Sequence, residues 1–70
     1  MGMSAKIKYI LNLRGKKITD FAKELGMSQS NFSNKLQRDD FRESELKQIA
    51  DALGCDFNVT FTLRDTGETI

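Results

Sequence analysis

This chain of 70 residues has no histidine, no proline and a single cysteine. Without histidine, imidazole-based acid–base catalysis and Cys/His zinc fingers are excluded. The lone thiol, Cys55, cannot close an internal disulfide. It follows Gly54 at the end of a helical pattern, with no basic neighbour in sequence to activate it, so it reads as a small apolar filler. No apolar run approaches the roughly 20 residues that cross a bilayer. No charged-then-apolar leader precedes a small-residue cleavage site, so a cytoplasmic protein is expected. N-myristoylation at Gly2 would need Ser or Thr at position 6, where Lys6 stands. Met1-Gly2 reads as a translation start or an expression scar. Paired carboxylates in a cleft and a phosphate-cradling glycine loop are also missing, and so short a chain has little room for a pocket. A non-enzyme is expected, with no cofactor, no metal and no small-molecule sensing domain.

The length does allow one domain, near the lower size at which a single core offsets the entropy of folding, so part of its stability is expected from a partner. The formal charge of +1 conceals a division. Residues 1–38 carry Lys6, Lys8, Arg14, Lys16, Lys17, Lys23, Lys35 and Arg38 against Asp20 and Glu24, a net +6. Residues 39–70 carry Arg42, Lys47 and Arg64 against Asp39, Asp40, Glu43, Glu45, Asp51, Asp56, Asp65 and Glu68, a net −5. A basic front half is the electrostatic footprint of a polyanion-binding surface.

Four helical patterns come first. Ser4 is a candidate N-cap for a helix over about residues 5–14, with Ile7, Ile10 and Leu11 on one face and Lys6, Lys8 and Asn12 toward water. Gly15 with Lys16 and Lys17 ends it. Thr19 is the candidate cap of a second helix whose buried stripe is Phe21, Ala22 and Leu25, with Ile18 as a staple and Gly26 as the stop. Ser28 then caps a third over residues 29–37, with Phe32 and Leu36 inward. A fourth, over about residues 43–53, buries Leu46, Ile49, Ala50 and Leu53. Its cap position, Arg42, is a poor one, and Glu43 and Glu45 in the first turn compensate through the helix dipole. From Asp56 the period changes to two. Phe57, Val59, Phe61 and Leu63 alternate with polar residues, which predicts a β-strand with one apolar face. Asp65 to Glu68 reads as a turn, but only Thr69 and Ile70 follow it, too few for a full return strand.

Between the second and third helices, Ala22, Gly26 and Phe32 put a small residue, a turn glycine and a buried apolar residue at helix-turn-helix intervals. Two helices cross closely only over a small side chain, and the turn needs a residue tolerant of positive φ. Residues 3–54, centred on Ile18-Thr19-Asp20-Phe21-Ala22-Lys23-Glu24-Leu25-Gly26-Met27-Ser28-Gln29-Ser30, resemble the Xre family of phage-repressor and Cro-like DNA-binding domains. The resemblance implies a mainly α, four-helix repressor-like domain over residues 1–54, followed here by a C-terminal β-strand and turn over 55–70. Two positions depart from the family pattern: Asp20 stands where many relatives carry a Gln that touches a phosphate, and Lys35 where many carry a core aliphatic. Leu36 is expected to fill the core instead, with the Lys35 ammonium outward.

The implied mechanism places the third helix in the major groove of double-stranded DNA. Gln29, Ser30, Asn31, Ser33 and Asn34 form its polar, uncharged face and are the candidate base readers, because amides pair bidentately with adenine. Thr19, Lys16, Lys17, Lys35 and Arg38 are the candidate phosphate contacts, which position without specifying sequence. One recognition helix reads few base pairs, so a homodimer on a palindromic operator is expected, acting as a transcriptional regulator and specifically a repressor. Residues 56–63 of two chains can pair antiparallel and bury Phe57, Val59, Phe61 and Leu63. The alternatives are a short hairpin closed on Thr69 and Ile70 within one chain, or an antitoxin-like module whose strand augments the sheet of a protein partner.

Overall fold

The computed structural model describes residues 2–70, so the Met1 part of the expected start or scar lies outside the described residues. Four helices follow in order: α1 (Met3–Leu13), α2 (Ile18–Glu24), α3 (Gln29–Arg38) and α4 (Glu43–Ala52). Their inward faces meet in one core of Ile7, Leu11, Phe21, Ala22, Phe32, Leu36, Ile49 and Leu53. Cys55 packs against the edge of that core, as a small filler does.

The helix boundaries agree with the sequence patterns to within a residue or two, but two caps do not. Ser4 lies inside α1, whose N-cap is Gly2. Its N–H donates to Asp39 Oδ1 (2.8 Å), and its buried hydroxyl lies 2.6 Å from the Leu36 carbonyl and 3.0 Å from Asp39 Oδ1, one proton serving both acceptors. The first turn of α1 is therefore capped from the far end of α3, and the helix starts two residues earlier than predicted. A Cβ on Gly2 would overlap the Asp39 carboxylate, so the absence of a side chain there permits the contact. Thr19 likewise lies within α2 and does not cap it. The N-cap is Lys17, without a side-chain bond.

At the centre, the Phe21 and Phe32 rings are fully buried, with centroids 5.7 Å apart and planes tilted by 60°, a favoured aromatic arrangement. Gly26 adopts φ 73°, and the N–H groups of Gly26 and Met27 return to the carbonyls of Lys23 and Ala22. This is the glycine-dependent C-terminal cap that turns the chain from α2 into α3. In α4, Glu45 Oε1 accepts the Arg42 N–H (2.9 Å), so the acidic first turn compensates the poor cap by a direct bond as well as by charge.

The tail corrects the sequence reading most. No strand forms over residues 56–63, and among the described residues the only β pairing is one antiparallel bridge, Thr62 with Thr69. Phe61 and Ile70 exchange N–H···O bonds (2.9 and 2.8 Å), and Leu63 accepts from Gly67 and donates to Glu68. The chain thus turns back on Thr69 and Ile70 as in the hairpin alternative, but the hairpin is not folded onto its own domain, since its residues are exposed. Phe57 is half-buried, and every residue from Asn58 to Ile70 is exposed. The radius of gyration, 14.0 Å, reflects this projection, against about 11 Å for a compact chain of this length.

Candidate nucleic-acid interface

The third helix is anchored at both ends and along one side. At its start, Ser28 Oγ accepts the Asn31 N–H (3.2 Å), satisfying one of the donors that a helix N-terminus leaves open. Along its length, Phe32 and Leu36 are 0% and 4% exposed and hold it to the core. At its end, Asp39 takes the left-handed conformation (φ 55°, ψ 43°) and carries the bonds to Ser4. Those bonds hold the Asp39 carboxyl below its ordinary pKa, the Ser4 N–H contributing most and the Ser4 hydroxyl next.

Gln29, Ser30, Asn31, Ser33, Asn34 and Gln37 are all exposed. At about 100° per residue, Ser30, Asn34 and Arg38 fall on one line, opposite the buried Phe32 and Leu36. Asn31 flanks that line on one side and Gln37 and Ser33 on the other, while Gln29, at the first position of the helix, lies further round toward the buried side. Ser33 has a further neighbour. With Gln37 it borders a crevice also lined by Lys8 of α1 and Ile18 of α2, so it stands at the side of the polar face. The surface therefore offers amide and hydroxyl groups without a charge until Arg38, a composition suited to base edges rather than to phosphates.

The candidate phosphate contacts divide into two kinds. Lys17 and Arg38 are exposed and form no ion pair among the described residues. Lys16 instead lies 3.1 Å from Glu24 Oε1, with its ammonium 5.8 Å from the Phe21 ring centroid. Lys35 does not point freely outward: its ammonium is 2.6 Å from Glu45 Oε2, tying α3 to α4. This pair, followed by the Arg42 N–H, lowers the Glu45 pKa. Thr19 is half-buried on the first turn of α2. Nothing local in sequence marks the Ser4–Asp39 contact, whose partners are 35 residues apart. The i, i+4 recurrence of Ala5, Tyr9 and Leu13, by contrast, is visible in sequence as a second apolar stripe on α1.

Among the described residues there is no cluster of His, Cys, Asp and Glu that could hold a metal ion, and no helix is long and apolar enough to cross a membrane. The family model of the Cro/C1-type HTH DNA-binding domain matches residues 6–58, which takes in α2, α3, α4 and most of α1. No curated protein and no solved structure matches the chain significantly.

Proposed function

Because the chain belongs to the Cro/C1-type helix-turn-helix DNA-binding domains, a family of transcription regulators, we propose that it is a repressor that binds a palindromic operator as a homodimer. The observation that carries this reading is the outer face of α3: amide-rich, uncharged up to Arg38, exposed and held in place from both ends. Gln29, Ser30, Asn31 and Asn34 are the proposed base readers, with Ser33 at their edge. Lys17 and Arg38 supply countercharge at once, whereas Lys16 and Lys35 must exchange a carboxylate for a phosphate. Thr19 offers its hydroxyl to the backbone. Residues 55–70 serve dimerisation, through Phe57, Val59, Phe61 and Leu63, and two copies would read half-sites about 34 Å apart.

Selection of sites from random duplex DNA, followed by a salt titration, tests the reading. An enriched palindrome is expected, with affinity that falls as salt rises. No enriched sequence, or affinity indifferent to salt, overturns it. Within the selected site, Asn34→Ala should lose about 1–3 kcal/mol of discrimination at one base pair. Lys17→Ala should weaken all sequences equally and reduce the salt slope by about 1. The exposed apolar tail also supports a second reading, an antitoxin-like module that adds its tail to a protein partner. An adjacent toxin-like reading frame would favour that reading.

A further inference from the structure

Ala5, Tyr9 and Leu13 recur at i, i+4 and i+8 and form a ridge on the side of α1 turned away from the core. All three are exposed, Tyr9 to 65% and Leu13 to 66%. On one flank, Lys8 borders the crevice with Ser33 and Gln37. On the other, Lys6 and Ile10 border the groove shared with α4 and the start of the tail. The ridge is thus separate from the outer face of α3. Lys6 and Lys8 flank it and Arg14 follows it, while the Asp39 carboxylate lies at its N-terminal end beside Ser4, so the flanks of the ridge are cationic. Scattered exposed apolar side chains need no explanation, but a continuous ridge of them does.

The tail carries a complementary surface. Phe61 and Ile70 exchange N–H···O bonds as directly opposed residues, so their side chains share a face. Leu63, two positions beyond Phe61 and bonded to Glu68, extends that face, whereas Val59 borders the groove with this chain's own α1 and α4. Phe61 and Ile70 are 73% and 71% exposed. The charges around them are Asp56, Asp65 and Glu68 against Arg64, a net negative set.

One chain therefore displays two open apolar surfaces, one framed by cations and the other by anions. We propose that the apolar face of the tail docks on the α1 ridge of a second copy, and that the exchange is reciprocal about a two-fold axis. The proposal rests on the dimeric-regulator reading and specifies its interface as tail to helix, in place of tail to tail.

Leu13→Glu and Phe61→Glu test it, each at an exposed position, with circular dichroism to verify that the helices persist. In sedimentation of the full chain at high-micromolar concentration, the unaltered protein should be dimeric and each variant monomeric. An equal mixture of the two variants should associate more tightly than either alone, because the intact tail of one meets the intact ridge of the other. A dimer that survives Leu13→Glu but not Phe61→Glu overturns the proposal in favour of tail-to-tail pairing. A mixture no tighter than its components overturns it as well. A monomeric unaltered protein removes the dimer altogether, and a failed site selection would instead remove the DNA reading while leaving this contact measurable.

Discussion

Phe32 and Phe61 are the same side chain in opposite surroundings, one 0% and the other 73% exposed. Phe32 lies in a segment whose period of 3.6 meets three other helices of the same period, so its burial is completed within the chain. Phe61 lies in a segment whose period of two meets only Thr69 and Ile70. The difference shows that an apolar pattern specifies a face, whereas burial also requires a matching surface. In the helical part that surface is present. In the tail the apolar side chains of Val59, Phe61, Leu63 and Ile70 meet no such surface among the described residues and stay exposed.

The sharpest way to break this comparison is to truncate both rings. Phe32→Ala should cost about 3–5 kcal/mol, against roughly 4–10 kcal/mol for the whole stability of a chain this size at about 0.05–0.15 kcal/mol per residue. Denaturant melts should therefore show it largely unfolded or close to it. Phe61→Ala, measured at protein concentrations dilute enough to be monomeric, should shift stability by no more than about 0.5 kcal/mol. A comparable loss from both would mean that the tail belongs to the core.

A smaller effect is expected at the start of the recognition helix. Ser28→Ala should cost about 1 kcal/mol, while Ser28→Gly should cost a few tenths. Urea unfolding distinguishes the two, and equal losses would show that the bond to the Asn31 N–H contributes nothing. The smallest effect is the pH dependence at its other end. Because the folded-state pKa of Asp39 lies below its ordinary 3.8, its contribution to stability is fully present above that value. It is lost as pH falls through 3.8 toward the folded pKa. Glu45 acts in the same direction below its ordinary 4.5. Thermal melts on the acid side should fall less steeply for Asp39→Asn than for the unaltered protein. Equal slopes would show that the Ser4 contact does not discriminate between the charged and neutral acid.

Much of the helical fold was legible because its signals are local. Gly26 and Ser28 stand two residues apart and mark a stop and a start, and Phe32 and Leu36 define the inward face of α3. Where partners are remote, the reading failed. Ser4 looked like a cap because nothing near it shows that Asp39 will come to cap it. The charge count could not distinguish the exposed Lys17 and Arg38 from Lys16 and Lys35, whose carboxylate partners lie on other turns. The alternation from Phe57 to Leu63 was real, but a strand exists only with something to pair to, and the sequence pattern contained no such partner. For the candidate site, residue types and the position of Ser33 at the flank were readable from the helical period, while its crevice with Lys8 and Ile18 was not.

The contact between Ser4 and Asp39 also bears on how the protein can be handled. Gly2 fits against the carboxylate that ends α3, so a side chain at position 2 would displace the residue that closes that helix. A tag fused before it would be joined two residues from the Ser4–Asp39 contact. One fused after Ile70 would instead crowd the tail. Under the proposed function the two placements would impair different properties, the first the hold of α3 on DNA and the second the contact between copies.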